Sequence, residues 1–219
     1  MSEPAAARRG RTPSADVERE LVAAAEAVLV RDGPGGLTVR AVAAEAGIAP
    51  MGVYNRLGGK DGLVDALLIK GFDRLGAVME AGLASAPVLD NTVPDGASIA
   101  AGSNAARRFY ACGLSYRAFA LANPHFYAIM FEKAIPREHD NPEVEEHARA
   151  TFFALVRVVE LTAAAGVIAA PDPVEVAQQI WSAVHGAVSL ELRGLVQTPD
   201  PERTYRDFLM TIVRGLAPR

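Results

Sequence analysis

The chain has little of what a secreted, membrane-bound or disulfide-stabilised protein requires. Its single cysteine, Cys112, cannot form a disulfide within the chain. Its longest uncharged apolar stretches, such as residues 161–171, are well short of the roughly 20 residues that a membrane span requires. The basic N-terminus is not followed by an apolar segment, so we expect no signal peptide. These absences predict a cytoplasmic protein without a membrane partner.

The sequence also lacks the residue clusters that bind metals, phosphates or cofactors. Its four histidines are scattered, at His125, His139, His147 and His185, and none is spaced with Cys112 as metal ligands are. It has no glycine-rich phosphate loop and no nucleophile elbow. We therefore expect no metal, no cofactor and no catalytic residue. An enzyme with a buried helical active site stays open as an alternative, and it would require titratable groups that converge in space.

Aromatic residues are few, at 6%, whereas half of the residues are hydrophobic, with an excess of Ala, Leu and Val. These residues recur at helical spacing rather than in β-branched runs, so we expect an all-α fold. The net charge of −4 argues against a broad basic face for nucleic acid. Residues 1–62, however, are neutral, with eight Lys/Arg and eight Asp/Glu. A DNA-binding site would therefore be local.

The first part of the chain predicts short helices separated by glycines. A first helix from about residue 14 carries one apolar stripe, and the glycine-rich residues 33–36 end it. Thr38 is placed to cap a second short helix, which Gly47 ends. Pro50 begins a third short helix, where its missing N–H costs nothing. A long fourth helix begins near Lys60.

Two short helices joined by a glycine turn and braced by longer helices indicate a helix-turn-helix, which places its second helix in the major groove of DNA. The segment closely resembles the DNA-binding domain of TetR-family regulators. The positions that carry this resemblance are Thr38, Arg40, Ala43, Ala46, Gly47, Tyr54, Lys60 and Leu63. Further on, Trp181, His185 and Gly186 resemble the Trp/His/Gly signature of a C-terminal domain found in part of the same family. The resemblance implies a homodimeric transcriptional regulator that binds double-stranded operator DNA.

The helix pattern and the resemblance together predict three regions. Residues 1–13 form a flexible arm, residues 14–59 a helix-turn-helix DNA-binding domain, and residues 60–219 a ligand-binding and dimerisation domain. The helix that begins near Lys60 connects the two domains. A mobile linker is expected near residues 87–103, which are rich in small residues with proline and glycine.

The basic residues of the arm are Arg8, Arg9 and Arg11. They could reach into a minor groove of the operator. An arm that serves only solubility is equally open.

The predicted recognition helix begins with Pro50, Met51 and Gly52, in the turn where such helices meet base edges. None of these side chains can donate a hydrogen bond, so direct readout there would be apolar, as in contact with a thymine methyl group. Arg40 is the expected hydrogen-bonding reader, because its planar guanidinium matches O6 and N7 of guanine. A solvated surface arginine is the alternative.

Other predicted DNA contacts set register without reading sequence. The resemblance implies that Tyr54 and Lys60 bind phosphate, and that Thr38 does so through its hydroxyl and the start of the second helix. Asn55 stands where the family commonly has an aromatic residue, and Arg56 where it commonly has a histidine. Both side chains can hydrogen-bond phosphate or base.

The last two predicted helices carry broad apolar stripes. A terminal helix pair of this kind is suited to a four-helix bundle with its two-fold mate, which the resemblance also implies. The residues assigned to this dimer interface are Trp181, Val188, Leu192, Phe208 and Ile212. An ordinary intramolecular core is the alternative, and part of each stripe must serve it.

The central helices are where regulators of this family hold an effector. An apolar cavity needs a few polar groups to orient its ligand, so Tyr116, Arg117, His125 and Tyr127 are the pocket candidates, although aromatic residues at helical spacing are also typical of a core. His185 is expected to be a hydrogen-bonded packing residue. The leading hypothesis is a repressor that a mostly apolar small molecule releases from a palindromic operator. The alternative is a DNA-binding structural or activator protein without a ligand.

Overall fold

The computed structural model describes residues 14–84 and 104–218, and every regular element in these two ranges is an α-helix. This confirms the predicted all-α fold. The expected arm at residues 1–13 and linker at 87–103 lie outside the described residues. The helices are α1 (Ser14–Gly36), α2 (Val39–Glu45), α3 (Pro50–Leu57), α4 (Lys60–Ala84), α5 (Asn104–Ala122), α6 (Pro124–Phe131), α7 (Pro142–Ala164), α8 (Pro173–Leu192) and α9 (Pro201–Gly215). Within the described ranges, none of them combines the length and the apolar character that a membrane crossing requires.

The described chain divides into two compact units. Unit 1 contains the chain up to Leu67 together with Ile135–His139. Unit 2 contains the described parts of Leu68–Ala134 and the chain from Asp140 onward. Helix α4 therefore contributes its first turns to unit 1 and the remainder to unit 2.

Unit 1 is built on the apolar stripe of α1. Leu21, Ala25 and Val28 on this stripe are completely buried, together with Val42 of α2 and Val53 of α3. These side chains recur at the helical period, which is why the sequence alone predicts the stripe. Near its C-terminal end, α1 loses regular helical geometry at Gly33, whose φ is 70°. The glycines of this segment predict such an interruption.

Three helices of unit 2 begin in the same way, with a capping residue followed by a proline. Asn141, Asp172 and Asp200 each precede a proline that begins α7, α8 and α9 respectively. Each side chain accepts hydrogen bonds from backbone N–H groups in the first turn of its helix, at 2.9–3.2 Å. This satisfies donors that a helix start leaves open, while the proline gives up an N–H that would have no partner there.

Helix α5 runs through the core of unit 2. Phe109, Tyr116 and Phe119 on α5 are buried among residues from α7, α8 and α9. The hydroxyl of Tyr205 on α9 donates to the carbonyl of Gly113 at 3.0 Å, which fixes the register of these two helices. The core of unit 2 therefore surrounds α5.

Helix α8 is shorter than the sequence pattern suggests. The apolar spacing predicts a helix from residue 173 to about 196, whereas α8 ends at Leu192. Gly194 adopts the left-handed conformation with φ of 67°, and the Leu195 N–H bonds back to the Leu190 carbonyl at 2.9 Å. This closure ends the helix because the last carbonyls find partners without another helical turn.

Candidate functional site

Glycines place α3, the predicted recognition helix, within unit 1. Gly47 before α3 and Gly58 after it adopt φ values of 67° and 72°, which favour glycine. The side chain of Val53 is completely buried and holds α3 against the core. A Cβ atom at Gly62 would lie 1.5 Å from the carbonyl oxygen of Leu57, the last residue of α3. Only glycine at this position lets α4 approach the end of α3 so closely.

The predicted DNA-contacting side chains are accessible to solvent. Met51 is 65% exposed and Tyr54 is 54% exposed, which leaves two large side chains uncovered on one short helix. Gly52 is half-buried. The remaining predicted contacts are all exposed, namely Thr38, Arg40, Pro50, Asn55, Arg56 and Lys60. The structure thus brings α2, α3 and the start of α4 together with these side chains outside the core.

Two glycines in this region have packing roles that the sequence pattern did not indicate. A Cβ atom at Gly59 would lie 2.8 Å from Cε1 of Tyr54, so the absent side chain makes room for the tyrosine ring. A Cβ atom at Gly52 would lie 2.8 Å from Cδ1 of Ile48. Gly52 therefore serves packing inside unit 1.

Thr38 has the cap role that the sequence predicts. Its Oγ1 accepts a hydrogen bond from the N–H of Ala41 at 3.1 Å at the start of α2. The hydroxyl proton of Thr38 is not used in that bond. It can be donated to a phosphate oxygen at the same helix end.

The segment Ile135–His139 joins unit 1 through polar contacts with α4. Nη1 of Arg137 lies 2.8 Å from Oδ1 of Asp65, and the backbone N–H of Glu138 donates to Oδ2 of Asp61 at 3.0 Å. The sequence pattern predicts only a polar loop there. The two contacts could not be predicted from the periodic spacing of residues. Both carboxylates lie on α4, whereas their partners come from a loop far along the chain.

The same segment contains a group of side chains that could hold a metal ion. Single ligand atoms of Asp61, Glu138 and His139 lie within 4.8 Å of one another. Glu138 and His139 are exposed, and the Asp61 carboxylate already accepts the Glu138 N–H. We assign no metal to this group.

Unit 2 contains an apolar cavity of about 290 Å³. Helix α4 contributes Phe72, Leu75 and Met79 to its wall. Six aromatic side chains line it, namely Phe72, Phe109, Tyr116, Phe131, Phe152 and Trp181. Lys, Arg, Asp and Glu are absent from the described residues that line it. A wall of this composition favours apolar ligands.

A hydrogen-bonded cluster joins the cavity wall to its surroundings. Nδ1 of His185 lies 2.8 Å from the hydroxyl of Tyr127 and 3.0 Å from that of Tyr116. The rings of Tyr127 and His185 are stacked, with centroids 5.3 Å apart. A neutral imidazole offers one acceptor nitrogen, so the two hydroxyls share it or one donates to the other. Of these three residues only Tyr116 lines the cavity.

Burial keeps these groups uncharged. It raises the pKa of the Tyr116 and Tyr127 hydroxyls, and it lowers the pKa of the His185 imidazole below its ordinary value of 6.5. Burial also raises the pKa of the Cys112 thiol, which lines the cavity, to about 12. The cavity wall and its hydrogen-bonded cluster are therefore neutral around pH 7.

The four predicted pocket residues have different positions. Tyr116 lines the cavity, and Tyr127 lies behind it, 1% exposed. Arg117 does not line the cavity, because its guanidinium binds both carboxylate oxygens of Glu191 at 2.6 and 2.7 Å. Half-buried His125 is also outside the lining, in the first turn of α6. Arg117 follows Tyr116 directly on α5, so the two side chains point in different directions around the helix.

The five residues assigned to a dimer interface also have different positions. Phe208, Ile212 and Leu192 are half-buried and keep surface that a partner subunit could cover. Trp181 is half-buried as well, but it lines the cavity. Val188 is completely buried within its own chain. It has no surface left for a partner, so the interface proposed below leaves it out.

Family models match both units of the chain. A model described as bacterial regulatory proteins of the tetR family matches residues 21–67, which include α2 and α3. A second model, described as a tetracyclin repressor-like C-terminal domain, matches residues 109–212. The Trp181, His185 and Gly186 signature falls within that second range. A search of curated proteins found no match.

Solved structures share the fold over nearly the whole chain. A protein of unknown function from Rhodococcus sp. RHA1 is 28% identical, with a TM-score of 0.77, over 97% of this chain and 100% of that one. A tetR-family regulatory protein from Rhodococcus RHA1 is 20% identical, with a TM-score of 0.62, over 93% and 98%. The regulator FadR from Bacillus subtilis, solved in complex with stearoyl-CoA, is 15% identical, with a TM-score of 0.63, over 90% and 98%.

The helix-turn-helix geometry of unit 1 and the two family matches, in the same order along the chain, agree with the resemblance found in the sequence. The all-helical structure agrees with it as well. The chain is a DNA-binding transcriptional regulator of the TetR family.

Proposed function

We propose that the protein is a homodimeric repressor that binds a palindromic operator and leaves it when a small molecule occupies the cavity of unit 2. The observation that carries this proposal is the combination of two features in one chain. The predicted base-contacting side chains of unit 1 are exposed, and unit 2 contains an apolar cavity of about 290 Å³. The stearoyl-CoA complex of FadR supports the idea that a protein of this fold can hold a ligand that includes an apolar chain.

Each exposed residue of unit 1 has a distinct proposed role on DNA. Arg40 reads a guanine through two hydrogen bonds, whereas Met51 and Pro50 make apolar contacts with base edges. Tyr54 and Lys60 bind phosphates and set the register of the complex. Thr38, Asn55 and Arg56 add hydrogen bonds to the backbone or to bases, and Gly52 allows a close approach. Since a single half-site offers few base contacts, specificity requires two subunits on one operator.

The proposed dimer surface lies on α8 and α9. Gly186 in the middle of α8 is exposed, and a Cβ atom there would meet nothing within 4 Å. Packing inside the chain therefore does not explain this glycine, whereas the close approach of a partner helix does. Leu190, one turn further along α8, is 50% exposed, and Phe208 and Ile212 on α9 keep partial exposure. A four-helix bundle formed by both copies of α8 and α9 would cover these side chains.

The proposed coupling between ligand and operator runs along α4. This helix begins at Lys60 in unit 1, and its later residues Phe72, Leu75 and Met79 line the cavity. A ligand that displaces these side chains would tilt one continuous helix. In a dimer, that tilt would change the spacing of the two recognition helices, which must match successive major grooves.

Selection from a random duplex library tests the operator part of the proposal. The purified protein is expected to enrich a two-fold symmetric sequence, with affinity that falls steeply as salt rises. Fluorescence anisotropy on the enriched duplex and on a scrambled duplex then gives the preference. Equal affinity for both duplexes would remove the repressor proposal.

A further inference from the structure

We propose that the effector is an uncharged compound the size of one or two rings, held by aromatic and aliphatic contacts and by a single hydrogen bond to Tyr116. This inference rests on the proposed function in one respect, since it takes the cavity of unit 2 to be the effector site. It adds the chemical class of the ligand. It predicts that carboxylates, phosphates and coenzyme A esters do not place their charged groups inside this cavity.

An ionised group buried without a partner loses its hydration and gains nothing in return, so charged ligands need a counter-charge in the wall. The described lining has no Lys, Arg, Asp or Glu side chain. The nearby guanidinium of Arg117 is held by both oxygens of Glu191 and lies over the ring of Tyr205. It is therefore unavailable to a ligand carboxylate.

The hydroxyl of Thr151 in the wall lies 3.0 and 3.1 Å from two backbone carbonyls, of His147 and Phe72, and it can donate to them. The hydroxyl of Tyr116 lies at the end of the cluster with Tyr127 and His185. It can turn its proton from a neighbouring acceptor to a ligand oxygen, while His185 and Tyr127 still satisfy each other. The indole N–H of Trp181 is itself a hydrogen-bond partner of Tyr116, so Tyr116 is the hydroxyl of the described wall that can turn its proton to one ligand acceptor.

A dry cavity of roughly 150 Å³ lined by Leu, Ile and Phe binds benzene. The cavity of unit 2, at about 290 Å³, is close to twice that volume. Its six aromatic side chains offer ring edges and faces, which favour an aromatic ligand through edge-to-face contacts. A ring with a short chain, or two rings, fills this space.

The chain carries its own probe of this cavity. Trp181 is the single tryptophan in the sequence, and it lines the cavity. Its fluorescence therefore reports occupancy directly. Four probes distinguish the effect of ligand charge from that of the hydrogen bond. They are benzylacetone (a neutral ketone), hydrocinnamate (an anion), phenylbutylammonium (a cation) and butylbenzene (a hydrocarbon). All four are of similar size, so they differ chiefly in the polar group.

Benzylacetone is expected to change the Trp181 emission saturably, and hydrocinnamate and phenylbutylammonium to bind more than about 30-fold more weakly at pH 7.5. Tyr116→Phe should weaken benzylacetone about 3- to 10-fold and leave butylbenzene unchanged, because only the ketone loses a hydrogen bond. Tyr110→Phe is the matched control, since Tyr110 is a buried tyrosine of the same helix that does not line the cavity. Trp181→Phe should abolish the signal.

Three results would overturn the inference. These are binding of either charged probe within about threefold of benzylacetone, an equal effect of Tyr116→Phe on ketone and hydrocarbon, or no binding of any neutral probe. Operator affinity measured in the same samples distinguishes failure of the assigned ligand class from failure of the proposed release mechanism. If benzylacetone binds and operator affinity is unchanged, the release mechanism fails while the assigned ligand class stands.

Discussion

A Cβ atom placed on Gly62 would lie 1.5 Å from the carbonyl oxygen of Leu57. The obstacle is backbone rather than a flexible side chain, so α3 or α4 would have to move. Gly62→Ala is therefore expected to destabilise the protein by at least about 2 kcal/mol and to reduce operator binding. Urea unfolding followed by circular dichroism measures the first effect.

The matched control for this variant is Gly76→Ala in the same helix. A Cβ atom at Gly76 would have Thr151 Oγ1 as its nearest neighbour, at an ordinary 3.8 Å. Since alanine has a higher helix propensity than glycine, this variant should be neutral or more stable by up to about 1 kcal/mol. Equal unfolding midpoints for the two variants would contradict the close approach at Gly62.

Arg40 and Lys60 are expected to contribute differently to operator binding. Arg40→Ala should cost about 1–3 kcal/mol on the enriched operator and relax the preference at one symmetric pair of base positions. Lys60→Ala should weaken binding by a similar factor on every duplex and reduce the salt dependence, because a phosphate contact carries no sequence information. Anisotropy titrations on the operator and on single-base variants distinguish them. Two identical specificity profiles would remove the assigned roles.

A substitution at Gly186 tests whether this surface of α8 is a dimer interface or an ordinary exposed surface. Gly186 is exposed and a Cβ atom there meets nothing within 4 Å, so a larger side chain is expected to extend into solvent in the isolated chain. If a partner helix packs there, Gly186→Leu should dissociate the dimer at micromolar concentration without unfolding it. Phe208→Glu should split or unfold the dimer. Analytical ultracentrifugation measures the outcome, and a Gly186→Leu protein that dimerises as wild type would exclude this part of α8 from the interface.

His185 makes the stability of unit 2 depend on pH. Burial lowers its pKa below 6.5, so the unfolded chain binds the proton more tightly than the folded chain does. The stabilising effect of the neutral imidazole is complete above about pH 6.5 and is lost as the pH falls below that value. Melting temperatures between pH 7.5 and 5 should therefore fall less steeply in His185→Gln than in wild type. A His185→Gln slope equal to that of wild type would contradict this role of His185.

The pair of Arg117 and Glu191 is expected to stabilise unit 2 rather than to bind the effector. Both side chains are largely buried, with 15% and 14% exposed, so removing one leaves the other charge without its partner. Arg117→Met should destabilise the protein by about 1–3 kcal/mol, and adding Glu191→Leu should recover part of that loss. The affinity for benzylacetone should not change. A large loss of benzylacetone affinity in Arg117→Met would indicate that Arg117 does contribute to the ligand pocket.

The sequence predicts the helices of unit 1 well because each has its own local signal. The stripe on α1 recurs at the helical period, Thr38 caps α2, and Pro50 begins α3, each of which depends on a few neighbouring residues. The turn at Gly47 follows for the same reason. Local chemistry therefore accounts for the part of the chain that carries the helix-turn-helix.

The cavity and the proposed interface are less predictable because apolar spacing does not say which neighbour covers a stripe. Trp181 and Val188 lie on one predicted stripe, yet one lines the cavity and the other is sealed within the chain. The sequence pattern places Arg117 in the pocket with Tyr116, but its partner Glu191 is 74 residues away. The role of Gly62 depends on the backbone of α3, which no pattern of side chains shows.

The most direct test of the account is the operator affinity of the dimer with and without a saturating neutral cavity ligand such as benzylacetone. We expect the ligand to weaken operator binding by about 5- to 150-fold, and operator DNA to weaken ligand binding by the same factor, as linkage requires. Anisotropy gives the first factor and Trp181 fluorescence the second. A ligand that saturates the cavity while leaving operator affinity unchanged would contradict the claim that this regulator is released from DNA through the cavity of unit 2.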